Sequence, residues 1–286
     1  MGEFEYEDVH SSSGNEVERF GTEEIEQRHY TITRERLGAA INLDLHTSST
    51  DKYYLRTLYS RFSDDEFRLR NEYKFAKGAI DLTQSSDSSA QFMYADMDRD
   101  TKDRYEEQEI MSIVVGGENQ LDTWLVEYNF GYSKSSEIEP NRVYVDFSGG
   151  DFDLGYNNSG EIPQLSQSAS AHDLSSFELD EVIIENNTTE DEETSFKVDL
   201  SRDFTWQNNN GQVKFGTKYR SREKFNDVNL TIYDGGFNDA LASQFAAASP
   251  DYDLGNFGPG ISRDQLHSFV MNNRAQFDVN TNESMI

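Results

Sequence analysis

The sequence predicts an all-β fold: about six antiparallel strands of an up-and-down transmembrane β-barrel, with long surface loops and the barrel incomplete. Apolar and polar residues alternate with period two in paired segments, a short polar turn joins each pair, and long acidic stretches separate the pairs. A membrane-spanning β-strand needs only about ten alternating residues. No run reaches the roughly eighteen apolar residues of a transmembrane helix, and mean hydropathy is −0.79.

The first predicted hairpin covers residues 37–60. Its polar turn is at 47–51, and its second strand, 53–60, alternates less regularly than the first. The residues that share one face of the first strand are Leu37, Ala39, Ile41, Leu43 and Leu45.

The second predicted hairpin contains the clearest strand of the chain. In residues 110–116 apolar side chains occur at both parities, so the pattern does not say which face is apolar. A short turn is predicted at 118–122. Large apolar groups then occupy every second position of the next strand, with small and polar residues between them. These groups are Trp124, Val126, Tyr128, Phe130 and Tyr132.

The third predicted hairpin pairs residues 196–201 with 212–220 through a turn at 207–211. Its apolar positions again fall on one parity and its charged positions on the other. In a barrel the apolar side meets lipid and the other side faces a wet lumen. The predicted lumen-facing residues are Lys197, Asp199, Lys214, Lys218 and Arg220.

Connection lengths favour a barrel over a soluble β-sandwich, the alternative that periodicity alone leaves open. The stretches 63–104, 135–193 and 226 onward are predicted as loops, and compact sandwiches rarely contain connections that long. Short turns at one end and long loops at the other are the layout of outer-membrane barrels.

Most of the negative charge lies in three stretches predicted to be solvated loops. Residues 1–27, 135–193 and 226–265 together carry −27 of the net −29. They are also rich in turn-forming residues. So large a negative charge argues against binding to nucleic acid, which requires clustered Lys and Arg.

Several short segments, taken together and in order, resemble the early barrel of TonB-dependent outer-membrane receptors, especially the Caulobacter-type subgroup. The resemblance spans roughly residues 28–225, with the loops unaligned. The segments are 34–38, 58–66, 116–118, 122–124, 132–133, 139–140 and 214–220.

The resemblance implies the role of such receptors in the outer membrane of a Gram-negative bacterium. They are non-enzymatic, contact outer-membrane lipid, and take up a scarce solute when the TonB complex acts on a plug inside a 22-stranded barrel. Carbohydrate is slightly preferred over a siderophore as the solute. Residues 1–286 would be a partial barrel domain with the plug absent, so TonB would act only through that missing plug. We therefore expect a fragment.

No residue pattern predicts catalysis or a cofactor. Cysteine is absent, so thiolate metal sites are excluded. Asp96, Asp98, Asp100 and Glu107 fall at positions 1, 3, 5 and 12 of an EF-hand-like loop. Position 6 is Thr101 instead of glycine, so this is a weak calcium candidate, and no metal site is predicted.

Solute contacts are predicted from the aromatic residues of the second long loop. These are Tyr144, Phe147, Phe152 and Tyr156, although packing of the loop against itself would also explain them. Segments 237–248 and 262–272 have helix-like composition. The alternative function is that of a soluble or secreted acidic β-sheet protein that binds a partner or Ca²⁺.

Overall fold

The computed structural model describes residues 4–10 and 16–285, with side chains from residue 21 onward, and places most of them in one antiparallel sheet. The strands are β1 (Phe4–His10), β2 (Glu16–His46), β3 (Lys52–Lys74), β4 (Ala79–Ile80), β5 (Ser89–Leu121), β6 (Trp124–Asn157), β7 (Gln164–Gln167), β8 (Glu178–Trp206), β9 (Asn209–Gly235), β10 (Ala246–Ala247), β11 (Gly260–Ile261) and β12 (Asp278–Val279), and the one α-helix is α1 (Arg263–Asn273).

The sheet has up-and-down topology, as the sequence predicted. Its order is β1-β2-β3-β5-β6-β8-β9-β12, with β4 added beside β5 and β7 beside β6, while β10 and β11 form a separate pair. Every pairing is antiparallel. No pairing joins β1 to β12 within the described residues, so the sheet is open there.

All three predicted hairpins are confirmed, although the second turns at 122–123 and not at the predicted 118–122. The pair next to each turn is His46↔Lys52 for β2 and β3, Leu121↔Trp124 for β5 and β6, and Trp206↔Asn209 for β8 and β9. Gln207 and Asn208 both have positive φ, 49° and 67°. This is the conformation that lets a two-residue loop match the twist of its strands.

Two of the three predicted long loops, 63–104 and 135–193, are wrong over most of their length, whereas the third, from 226 onward, is strand mainly as far as Gly235. β3 continues to Lys74, β5 begins at Ser89, and β6 and β8 occupy most of 135–193. The acidic stretches 1–27 and 226–265 likewise contribute to β2 and β9, although residues 1–3 and 11–15 lie outside the described residues. Charged residues in these extended strands find partners on neighbouring strands, as Arg142 does with Glu185 and Lys134 with Glu190.

Cross-strand register aligns the apolar positions of six strands into rows. One row runs from β2 to β9 on a single face, here called the apolar face: Leu43, Leu55, Val115, Phe130, Phe196 and Tyr219. The neighbouring row, one residue along, lies on the opposite, charged face: Asp44, Tyr54, Gly116, Asn129, Lys197 and Lys218. A shift of one residue in any strand would exchange these faces.

We call the end of the sheet next to the short turns its lower part and the opposite end its upper part. The apolar face is exposed in the lower part. Five members of its central row are 43% to 65% exposed, and Leu55 is half-buried. This exposed region, the apolar belt, also includes Leu37, Ile41, Leu45, Tyr53, Met111, Ile113, Trp124, Val126, Tyr128, Tyr132, Val198, Leu200, Val213 and Phe215.

The upper part of the same sheet is covered by two segments, residues 158–177 and 236–277, which we call the cap. The sheet residues Phe147 and Val182 are fully buried in one hydrophobic cluster with cap residues such as Phe177 and Val270. The Phe147 ring lies 5.9 Å from that of Phe245, and the Phe152 ring lies 5.3 Å from that of Phe177. The chain therefore buries one half of its sheet and exposes the other.

An irregularity in β6 allows both halves to use the same face. The pairing of β6 with β5 and with β8 shifts between Glu139 and Arg142, and Asn141 has a φ of 50°. Such a bulge changes which parity points to each face. Even-numbered residues such as Phe130 are apolar below it, and odd-numbered residues such as Val145 are apolar above it.

Of the two segments with helix-like composition, one is helical. α1 matches the predicted 262–272, whereas 237–248 contains a short 3-10 helix at Ala242–Phe245 followed by β10. Among the described residues, no helix is both long and apolar enough to cross a membrane.

Truncating a buried ring beneath the cap tests this core. Phe147→Ala should lower the free energy of unfolding by about 3–5 kcal/mol, because it removes a buried aromatic side chain and leaves a cavity. Phe225→Ala is the control, since Phe225 is 54% exposed, and should change it by under about 1 kcal/mol. Urea unfolding followed by circular dichroism measures both, and equal losses would contradict the buried position of Phe147.

Candidate functional site

The charged face is the candidate functional surface, because polar side chains from six neighbouring strands converge on it. All five residues predicted to face a lumen lie here. The Lys197 Nζ is 2.6 Å from an Asp199 oxygen, and the Lys214 Nζ is 3.4 Å from the same atom. Lys214 also pairs with Glu127, and Arg220 with Glu193. These contacts form a polar surface directly behind the apolar belt.

Above this surface the charged face carries a dense network of ion pairs, here called the charged ladder. Arg104 is a centre of it, with its guanidinium 3.2–3.7 Å from Asp64, Glu66, Glu106 and Glu139. The other members are Glu26, Arg28, Arg34, Arg68, Arg70, Glu72, Lys74, Asp98, Asp100, Lys102, Arg142 and Glu185. Most of these pairs join different strands, which binds the strands together electrostatically, although Arg28–Glu26 and Arg70–Glu72 lie within one strand.

A cavity of about 250 Å³ opens in the charged ladder. One register row supplies Arg70, Asp100, Asp146 and Glu181, and Tyr144 lies on the row below. Asp100 accepts hydrogen bonds from both Arg68 and Arg70. The cavity thus combines carboxylates, guanidinium groups and one phenol ring.

Two polar atoms at this cavity are buried without a hydrogen-bond partner. They are Oδ1 of Asp146 and Nε of Arg68. Burial, together with the negative charges of Asp98 and Asp100, raises the pKa of Asp146 from 3.8 to about 7. Both atoms have almost no accessible surface, and atoms of Glu66, Arg104 and Arg142 elsewhere in the charged ladder also lack a partner.

A second carboxylate with a strongly raised pKa lies at the top of the ladder. Burial and the neighbouring Glu72 raise the pKa of Glu24 to about 7. Oxygens of Glu24, Glu26 and Glu72 lie within 4.8 Å of one another, close enough for a metal ion. Arg70 already pairs with Glu26 and Glu72 there, so its guanidinium occupies the role that a cation would have.

The EF-hand-like interpretation of residues 96–107 is wrong, because the segment lies in β5 and not in a loop. Asp98 and Asp100 point to the charged face and pair with Lys74 and with two arginines, respectively. Asp96 shares their parity, whereas Glu107 lies on the opposite face and pairs with Arg61. A strand separates these carboxylates instead of bringing them around one ion.

The four aromatic residues predicted to contact a solute from a loop all lie in β6. Phe147, Phe152 and Tyr156 are buried in the hydrophobic cluster, so their rings pack against protein. Only Tyr144 lies on the charged face, at the cavity, with the Arg142 guanidinium 5.5 Å from its ring centre. One of the four therefore remains at a candidate ligand site.

Sequence reasoning missed Arg99, which is 2% exposed beneath the cap. Its guanidinium donates to the carbonyl oxygens of Pro259 and Ala171 at 3.0 and 3.2 Å, and lies 5.1 Å from the Phe177 ring centre. Burial lowers the pKa of Arg99 to about 10. Arg99 thereby fastens both cap segments to β5, a role that only the folded contacts disclose.

A second groove, of about 500 Å³, separates α1 from β5 above the apolar belt. Asp103 accepts hydrogen bonds there from Arg263, and a His267 nitrogen lies 2.9 Å from its other oxygen. Arg263 also pairs with Asp65. These contacts dock the helix onto the sheet.

Comparison with known proteins adds no assignment: no family model matches this chain, and no curated protein matches it.

Replacing Asp146, the buried carboxylate at the cavity, should stabilise the fold at neutral pH. The pKa of Asp146 is raised from 3.8 to about 7, so wild-type stability is lost as pH rises through this range. The Asp146→Asn variant has no carboxyl group to ionise, so it does not lose this stability. Its advantage in free energy of unfolding should grow from pH 4 to 7, to at most roughly 4 kcal/mol.

Urea titrations at several pH values measure this advantage. Asp173→Asn is the control, because hydrogen bonds from Ser175 lower the pKa of Asp173. Asp173→Asn should therefore be less stable than the wild type at neutral pH, and this difference should shrink only at acidic pH, where the wild type loses stability as pH falls. A difference between Asp146→Asn and wild type that does not change with pH would contradict the assignment.

Proposed function

We propose that this chain forms part of the barrel wall of an outer-membrane receptor of the TonB-dependent kind, which takes up a scarce solute. The observation that carries the proposal is the apolar belt, a continuous exposed surface across six strands. Monomeric soluble proteins rarely expose so large an apolar patch without a partner. In the proposal, that partner is outer-membrane lipid.

The height of the belt suits a bilayer. From Leu37 to Leu45 the strand rises about 26 Å at roughly 3.3 Å per residue. If it is tilted as barrel strands are, this gives roughly 20 Å across the membrane, close to the apolar band of about 25 Å in outer-membrane barrels.

Aromatic residues mark both edges of the belt. Trp124 and Trp206 lie at the edge next to the short turns. At the other edge, the Tyr59 hydroxyl lies 2.7 Å from a Glu109 oxygen, and the Tyr132 hydroxyl bonds to Glu192. Rings at the apolar edge with polar groups beyond it are typical of membrane interfaces.

The two long edges of the sheet indicate that further strands complete the wall. β1 covers β2 only as far as Ile25, and β12 pairs with β9 only near its end. Below these contacts, residues 26–46 and 209–229 have no strand on their outer side within the described structure. A bilayer requires every backbone group to be paired, so the proposal places additional strands at both edges.

In this arrangement the charged face lines the lumen, and the solute passes along it. TonB would act on a plug supplied by another part of the receptor. The soluble alternative, an acidic β-sheet protein that binds a partner, draws support from the core beneath the cap, which is made entirely of protein. It requires a protein partner or a second copy to cover the belt.

A pair of adjacent substitutions tests the membrane-facing belt. Phe130→Arg places a charge between Val115 and Phe196, which should cost on the order of 2–4 kcal/mol near the membrane midplane. Asn129→Arg, on the opposite face, is the matched control and should insert like the wild type.

The measurement is made on the full-length barrel, in which further strands pair both edges, as co-flotation with phosphatidylcholine vesicles together with quenching of tryptophan fluorescence by brominated lipid. Wild type and Asn129→Arg should float and be quenched, and Phe130→Arg should do neither. Equal behaviour of the two Arg variants would refute the assignment of faces. A defined soluble dimer that does not float with vesicles would favour the alternative function.

A further inference from the structure

The outer edge of β9 carries a row of cations on the charged face. Five of the six positions of one parity between residues 214 and 224 are basic, and the sixth is Gly216. The basic residues, here called the β9 row, are Lys214, Lys218, Arg220, Arg222 and Lys224, and all five are exposed. In a chain whose net charge is −29, the β9 row is a local concentration of positive charge.

Carboxylates reach the β9 row from only one side. Arg220 and Arg222 pair with Glu193 and Asp191, both of which belong to β8. On the outer side, no strand lies beside residues 209–229 within the described structure. The row is therefore neutralised only from the inner side of the sheet.

Arginines in the interior of the sheet show the arrangement that the β9 row lacks. Arg70 of β3 pairs with Glu26 of β2 and with Asp100 of β5. Arg104 of β5 lies 3.4–3.7 Å from carboxylates of both β3 and β6. Each of these cations has carboxylates on both neighbouring strands, so an outer strand with carboxylates would give the β9 row the same surroundings.

Lys218 and Lys224 show this difference most clearly. Lys218 stands directly opposite Lys197 across the β8–β9 pair, and like charges placed directly opposite destabilise a sheet. Lys197 pairs with Asp199 at 2.6 Å. Neither Lys218 nor Lys224 forms a direct ion pair in the part of the chain that the structure describes. A carboxylate on the outer side would offset the repulsion between the two lysines.

A second copy of this chain does not fit the β9 row, because the outer edge of β2 lacks the necessary carboxylates. On the charged face between residues 28 and 46, β2 carries Arg28, Arg34 and Arg36 and a single acid, Asp44. The Asp44 carboxylate already lies 2.6 Å from Arg56 of β3. Pairing the two edges in any register over this range would bring the row at most one carboxylate.

We propose that the strand that pairs with the outer edge of β9 is acidic, with carboxylates at alternating positions on the charged face opposite residues 214–224. Backbone hydrogen bonds would hold the two strands together, while the cations would fix the register and disfavour a basic strand. The inference rests on the proposed function, in which further strands complete the wall. It adds the chemistry of the strand beside β9.

Zero-length cross-linking of the full-length protein in phosphatidylcholine vesicles tests this assignment. A carbodiimide joins lysine amines only to carboxylates that they contact, and mass spectrometry of the digest identifies both residues. Lys218 and Lys224 should each be joined to an Asp or Glu of one strand that is neither β8 nor β2. Because antiparallel strands run in opposite directions, the partner of Lys224 should precede that of Lys218 by about six positions, the separation of the two lysines.

The ion pair between Lys214 and Glu127 is the internal control, because it lies within the described sheet and should cross-link in every sample. A variant that combines Lys218→Gln with Lys224→Gln should lose both new cross-links and keep the control. Formation of the control alone in the wild type would overturn the proposal, as would partners that follow no fixed spacing. Cross-links to Asp44 of a second copy would overturn it in favour of a dimer.

Flotation distinguishes a failure of this inference from a failure of the proposed function. If the full-length protein floats with the vesicles and gives only the control cross-link, the acidic strand is refuted and the proposed function stands. If the wild type does not float, the proposed function itself is refuted.

Discussion

The continuous register of six long strands is the constraint on which the rest of this structure depends. Because side chains alternate along a strand, register alone decides that Phe130 joins an apolar row while Asn129 joins a charged one. The apolar belt, the charged ladder and the cavity all follow from this alignment. The irregularity at Glu139–Arg142 belongs to the same constraint, since it restores the alternation of β6 to the correct face in the upper sheet.

One face of the sheet meets two environments along its length. Near the short turns its apolar groups are exposed, and at the far end Phe147 and Val182 are buried beneath the cap. Between them the face becomes polar, with pairs such as Lys134 and Glu190 at 3.1 Å. In the proposed function, this polar interval lies where the sheet leaves the bilayer and before the cap covers it.

The sequence predicted the three hairpins because their alternation is local and their turns are short. It failed for the acidic stretch 135–193 because the partners of its charges are distant in sequence, as Arg142 and Glu185 illustrate. A signal was nevertheless present: Val143, Val145 and Phe147 alternate with polar residues within a stretch interpreted as loop. The cavity at Asp146 and the burial of Arg99 were beyond prediction, since both depend on which strands become neighbours.

The charged ladder itself bears on function, because it is an expensive way to hold strands together. Removing ions from water costs more than many buried ion pairs return, so apolar side chains would stabilise an inert wall at least as well. On a face that contacts water or a polar solute, the charged groups lose less hydration, so this cost is smaller. The fixed charges then also select among solutes. Asp146 then marks where the network opens, since burial and the negative charges of Asp98 and Asp100 raise its pKa at the cavity.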